Sequence, residues 1–133
     1  MKFSLCMIVK NEEALLAECL DSLKAAMDEI NIVDTGSTDR TKEIAASYTD
    51  RVYDFRWTGS FSDARNFSFS KATGDYIYCA DADELLDAEN QQKLLQLKKQ
   101  LENVPEIEIV QMYYVNQLQN GSVYNFDKEY RPK

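Results

Sequence analysis

Residues 76–84 read YIYCADADE. Tyr76-Ile77-Tyr78-Cys79 has the aromatic and β-branched make-up of a buried strand, and three acids follow at once: Asp81, Asp83 and Glu84. Two carboxylates ~4 Å apart at an effective dielectric of about 20 repel by roughly 4 kcal/mol. Either their pKa values rise steeply, or a hard divalent cation sits between them. Asp-x-Asp at a strand end offers oxygen ligands from alternate residues. Mg²⁺ or Mn²⁺ takes one or two such carboxylates and fills its other positions with water and phosphate oxygens. The alternative for this segment is a solvated acidic loop that caps the next helix. An EF-hand is excluded, because the Gly and acid spacing it needs after Asp81 is missing.

Outward from this segment, strand and helix patterns alternate. Phe3 to Val9 reads as a buried strand, and Asn11-Glu12-Glu13 as the opening of a helix with Leu16, Leu20, Leu23 and Met27 on its apolar face. INIV (30–33) is a second strand, followed by the turn DTGSTD and a short helix from about Thr41 to Tyr48. RVYDF (51–55) is a third strand, residues 61–72 a helix ended by Gly74, and YIYCA the fourth strand. Asp87-Ala88-Glu89 starts a helix with Leu94, Leu97 and Leu101 on one face. Beyond Pro105, residues 107–115 and 122–126 flank Asn120-Gly121, a hairpin signal. The expected fold is α/β: one domain over residues 1–133, a mostly parallel sheet with helices on both faces, and a C-terminal β-hairpin.

Composition narrows the function. The chain has 133 residues, 44% of them apolar, and a net charge of −8, which argues against nucleic acid or an anionic membrane as partner. A phosphate-bearing ligand would need a metal ion or a few placed cations. There is no histidine, so Ser-His-Asp and Cys-His chemistry and His-ligated zinc are excluded within this chain. Cys6, Cys19 and Cys79 form no CxxC pair and read as buried free thiols of a reducing compartment. No apolar run approaches the ~20 residues of a membrane span, and Met1-Lys2-Phe3-Ser4 leads straight into a strand. A cytoplasmic location without a secretory signal is expected, with contact to the inner membrane face only through an acceptor.

Ligands of parallel α/β sheets bind beyond the carboxyl ends of the strands, and that edge is where the polar residues fall. Strand one ends at Lys10-Asn11-Glu12, strand two at Asp34-Thr35-Gly36-Ser37, strand three at Asp54 and strand four at Asp81-Ala82-Asp83-Glu84. Each has a local explanation: Asn11 and Ser37 as helix caps, Asp34 as a turn residue, Asp54 as a solvated strand end. Their agreement on one edge points to a site.

In this order the segments CMIVKNEEALLAECLDSL, IVDTGSTDRT and FRWTGSFSDARNFSFSKATGDYIYCADADE resemble the inverting family 2 glycosyltransferases of GT-A fold, over about residues 3–100. The chain is most similar to a subgroup that opens with a KNEE-type segment. The resemblance implies that Val9, Asn11, Glu12 and Asp34 hold the base and ribose of a nucleoside-diphosphate sugar, with a UDP-sugar the foremost candidate. It implies Arg65 near the base and diphosphate, Asp81 and Ala82 along the nucleotide, and Asp83 with Asp81 on Mg²⁺ or Mn²⁺. Glu84 either joins them or caps the next helix. The implied reaction is displacement at the anomeric carbon with inversion, onto an acceptor hydroxyl of a saccharide, lipid or protein. In the family the catalytic base lies later than the Asp-x-Asp, so this chain is expected to hold the nucleotide-binding portion, with the base beyond residue 133. EYRPK reads as the start of a strand, and Asp127 and Glu129 as strand-edge charges. An incomplete sheet would leave apolar surface for self-association. Two other readings stay open: a nucleotide-binding module without turnover, and a phosphatase of the haloacid dehalogenase type using Asp81 and Asp83.

Overall fold

A computed structural model describes residues 2–102, 110–117 and 123–132. The elements are β1 (Phe3–Val9), α1 (Leu16–Leu23) running into a 3₁₀ turn (Lys24–Ala26), β2 (Glu29–Asp34), α2 (Thr41–Ala46), β3 (Val52–Asp54), α3 (Phe61–Ser70), β4 (Tyr76–Ala80), α4 (Ala88–Glu102), β5 (Val110–Gln117) and β6 (Val123–Pro132). The sheet order is β3-β2-β1-β4-β6-β5. The first four strands are parallel, while β6 runs antiparallel to both β4 and β5.

Nearly every residue of β1 is buried, as a central parallel strand covered on both faces requires. Alternate side chains go to opposite layers. Leu5, Met7 and Val9 join Ile32, Tyr78 and the leucines Leu16, Leu20, Leu23, Leu94 and Leu101 in the main core. Cys6 faces the other way, into a smaller cluster with Ala72, Ile77, Phe69 and Cys79 against α3. Helices therefore cover both faces, as the alternating pattern predicts. Among the described residues no helix is long and apolar enough to cross a membrane. The three cysteines form no disulfide; Cys6 and Cys19 are buried and Cys79 is half-buried.

Several boundaries differ from the sequence expectation. α1 begins at Leu16, because Asn11 sits at φ 53° and no helix can start through a left-handed residue. Met27 lies beyond α1 in extended backbone, packed on the core by its own turn. Gly74 does not end α3, which stops at Ser70. Its role is close approach: a Cβ there would stand 2.6 Å from Ser4 Oγ and 2.8 Å from the Lys2 carbonyl oxygen. Glu129 to Pro132 belong to β6 rather than opening a further strand. Asp127 and Glu129 stand opposite Tyr113 and Gln111 of β5. The Asn120-Gly121 turn lies outside the described residues.

The amino ends of the strands are tied by one polar network. Glu29 accepts hydrogen bonds from Ser4 Oγ (3.0 Å), Asn31 Nδ2 (2.7 Å), the Thr73 N–H (3.0 Å) and the Thr73 hydroxyl. Arg51 donates to Asn31 Oδ1 at 2.6 Å and to the Lys71 carbonyl at 2.6 Å. Burial alone would raise the Glu29 pKa, but the donors from Thr73, Asn31 and Ser4 outweigh it and hold the carboxyl at about 2.

Candidate functional site

The strand carboxyl ends meet along one edge. Val9 is the register partner of Asp34, and Asp34 of Asp54. On the other side of β1, Met7 pairs with Ala80, so Asp81 leaves β4 beside the end of β1. The chain winds from β1 outward to β2 and β3, then returns past β1 to β4. The β1–β4 boundary is thus a topological switch point, where doubly wound sheets open a crevice for ligands.

The first half of the site is a laced pair of loops. Thr35 N–H donates to the Val9 carbonyl at 3.1 Å. Asn11 N–H donates to Ser37 Oγ at 2.9 Å, and Asn11 Oδ1 accepts from the Thr38 N–H at 2.8 Å. Glu12 N–H donates to Thr41 Oγ1 at 2.8 Å, and the Arg40 N–H to Glu13 Oε2 at 3.1 Å. Left-handed Asn11 turns the backbone so that these groups face the β2 loop. Val9, Asn11, Glu12 and Asp34 are consequently brought together. Sequence reasoning placed Ser37 at the strand end only as a helix cap, and gave Thr38 and Thr41 no lacing role; for these two the signal is the Ser/Thr density of the turn.

Asp34 is 2% exposed. Its Oδ1 accepts from the N–H groups of Gly36 (2.9 Å) and Ser37 (2.8 Å), an Asx turn that Gly36 completes at φ 119°. Its Oδ2 is buried and has no hydrogen-bond partner among the described residues. A buried polar atom without a partner costs on the order of 1–3 kcal/mol, and more where the group is charged, a cost that no donor among the described residues offsets. Asp54 does not join it: exposed, it pairs with Lys42 Nζ at 2.7 Å, the solvated strand end that its position allows.

The second half of the site comes from β4 and α3. Asp81 and Asp83 are exposed on either side of Ala82, which is buried in the main core. The turn is pinned from below: the Asp81 carbonyl accepts from the Glu84 N–H at 3.0 Å and from Cys19 Sγ at 3.5 Å. Neither Asp81 nor Glu84 caps α4. That role belongs to Asp87, whose Oδ1 accepts from the Asn90 N–H at 2.8 Å. The capping explanation for the acidic run therefore has no helix end left to serve.

No three Asp, Glu or Cys side chains among the described residues converge as a metal-ligand set. Two exposed carboxylates on one rigid turn nevertheless fit a hard divalent ion that takes its remaining oxygens from a diphosphate and water.

Arg65 lies on α3, which Ser60 starts by accepting from the Asp63 N–H at 3.3 Å. Its side chain is exposed, with the guanidinium 5.0 Å from the centre of the Phe61 ring. Arg65, Phe61, Ile8, Ser68, Cys79 and Asp81 line a pocket of about 30 Å³. The structure thus brings Arg65 and Asp81 together and sets them across the end of β1 from Asp34 and Asn11. Ser68 has a buried hydroxyl with no partner among the described residues, and Cys6 beside it is pushed up to about 12 by burial, an inert thiol. Neither Phe61 nor Ser68 was singled out by sequence reasoning, which took from residues 61–72 a helix and Arg65 alone.

A mostly parallel sheet with acids at its switch point and an arginine beside Asp81 is the arrangement in which α/β proteins bind ligands beyond the strand ends. The chain matches Glycosyl transferase family 2 over residues 4–130, and it belongs to that family. The prophage-derived glycosyltransferase SunS of Bacillus subtilis is 37% identical over 71% of this chain and 23% of its own length. A TPR repeat-containing protein of Synechococcus elongatus is 48% identical over 62% of this chain and 21% of its own. Among solved structures, S. aureus TarS 1–349 in complex with UDP superimposes with a TM-score of 0.62, at 26% identity over 77% of this chain and 32% of that one. Glucosyl-3-phosphoglycerate synthase of Mycobacterium tuberculosis, in complex with Mn²⁺, UDP-glucose and phosphoglyceric acid, gives 0.52 at 25% identity over 61% of this chain and 33% of that one. The chain spans a fifth to a third of the length of the curated relatives it matches. The haloacid dehalogenase reading is overturned by this family membership; that fold also carries its Asp-x-Asp after the first strand, whereas here it follows the fourth.

Proposed function

We propose that this chain is the donor-binding part of a glycosyltransferase that moves a sugar from a UDP-sugar to an acceptor hydroxyl with inversion. The observation that carries it is the Asp34 carboxylate at the sheet edge: buried, half-satisfied by its own turn, and left with one acceptor oxygen unpaired among the described residues. A uracil N3–H or a ribose hydroxyl supplies the missing donor. The UDP and UDP-glucose complexes of TarS and the synthase support the choice of nucleotide.

Val9 and Asn11 form the floor and rim on which the base rests, and Glu12 stands ready for a ribose hydroxyl. Arg65 neutralises the diphosphate, a need made acute by the net charge of −8. Asp83, with Asp81, would hold Mg²⁺ or Mn²⁺, which when bound supplies Lewis-acid stabilisation of the departing diphosphate. Ala82, packed in the core, fixes the spacing between the two carboxylates. None of these residues is assigned as the base that activates the acceptor. Three cysteines outside any disulfide suit a cytoplasmic setting.

Calorimetry with UDP, with and without Mn²⁺, tests the reading. Binding that tightens with Mn²⁺ is expected, and no binding of UDP under either condition would overturn it. A donor-hydrolysis and transfer assay on the same protein separates an enzyme from a module that binds without turnover.

A further inference from the structure

Phe61 is 49% exposed at the lip of the crevice, on the first turn of α3. Half its surface in water contributes little to the core, so what its ring face does is the more telling property. Arg65 follows four positions later on the same helix face, and its guanidinium lies 5.0 Å from the Phe61 ring centre. Both residues line the pocket that Asp81 also lines.

We propose that Phe61 is a positioning residue: its ring holds the Arg65 guanidinium at the β1–β4 crevice, so that a nucleoside diphosphate meets a cation already in place. An exposed arginine otherwise disperses over many rotamers. Stacking occupies only the flat face of the guanidinium and leaves the N–H donors at its edge free for bidentate contact with phosphate oxygens. Two other described cations are engaged elsewhere. Lys42 is paired with Asp54, and the Lys71 ammonium lies over the rings of Tyr53 and Phe67 at 5.0 and 4.8 Å. The inference rests on the donor-site reading above and adds Phe61 to it.

The test is calorimetry of UDP and of uridine, both with Mn²⁺, on the wild-type chain and the variants Phe61→Leu, Phe61→Trp and Arg65→Ala. Phe61→Leu is expected to weaken UDP about two- to fivefold, to leave uridine unchanged, and to be rescued by Phe61→Trp. On the Arg65→Ala background it should cost nothing further. Equal losses for uridine and UDP would make Phe61 a base-stacking surface and overturn the assignment, as would an additive loss or an unchanged UDP affinity. Should the wild type bind neither ligand, the donor-site reading falls first and takes this one with it. Should it bind UDP indifferently to Phe61, only this one falls.

Discussion

Val9 and Asp34 are register partners at the last positions of β1 and β2, and their acceptor oxygens end in opposite hydrogen-bonding states. The Val9 carbonyl is satisfied by the Thr35 N–H, whereas Asp34 Oδ2 stays buried without a donor among the described residues. Asp34→Asn keeps the acceptor used by Gly36 and Ser37 and replaces the waiting acceptor with an amide donor. UDP affinity should fall at least tenfold, the loss of a hydrogen bond to a charged group being about 1.5–3 kcal/mol. The melting temperature should move by only a few degrees. Calorimetry and a thermal melt check both; full retention of affinity would mean that no ligand donor reaches this carboxylate.

Asp83 sits on the exposed turn whose other end, the Asp81 carbonyl, is tied to Cys19 and Glu84. The fold of that turn does not depend on the Asp83 carboxylate. Asp83→Asn is therefore expected to remove the Mn²⁺-dependent part of the thermal shift with UDP and to leave the apo stability within about 0.5 kcal/mol of wild type. Saturating ligand at a hundredfold excess over Kd stabilises by about 2.7 kcal/mol, so loss of the metal increment is readily seen. An unchanged increment would remove Asp83 from the metal.

The sheet was readable because buried parallel strands are continuous apolar runs, and Phe3–Val9 and Tyr76–Ala80 stand as those runs predict. The acids at the strand ends were readable because the winding rule says where to look. What could not be read is whatever depends on partners distant in sequence. KNEE looks like a helix start, yet Asn11 is left-handed because its amide and carboxamide bond Ser37 and Thr38. Nothing in DTGSTD announces that one Asp34 oxygen stays buried and bare. Phe61 gives no apolar period that marks it as a perch for Arg65. The network of Ser4, Glu29, Arg51 and Thr73 joins residues of four separate segments at the edge where no ligand rule applies.

Gly74 illustrates the same limit, since a helix stop and a close approach look alike in sequence. A methyl group at this position would meet the Lys2 carbonyl oxygen, which is backbone and cannot swing away, as well as Ser4 Oγ. Gly74→Ala should cost about 1–3 kcal/mol, the usual range for forced overpacking. Adding Ser4→Ala relieves one of the two collisions and also deletes the hydroxyl that accepts from the Gly74 N–H at 2.8 Å, so the double variant should stay below wild type. Thermal or urea unfolding decides it, and a Gly74→Ala protein as stable as wild type would show that Lys2 yields easily.

Glu29 makes the clearest pH prediction. Its side chain is only 14% exposed, and its pKa is held at about 2 against an ordinary value of 4.5. A depressed carboxyl pKa means that folding favours the charged form. The stabilisation is complete above about pH 4.5 and drains away as pH falls toward 2, where folded and unfolded chains both bind the proton. A shift of this size corresponds to about 3 kcal/mol at neutral pH. Glu29→Gln loses the charge, forces an amide nitrogen toward donors at Thr73, Asn31 or Ser4, and leaves the Arg51 guanidinium 3.8 Å away without its carboxylate. The variant should therefore unfold at lower urea than wild type at pH 7, with the gap closing steadily below pH 4.5. Urea titrations of both proteins from pH 7 to pH 2.5 measure that gap directly. A difference that stays constant across the range would assign the loss to packing and hydrogen-bond geometry, not to the charge of Glu29.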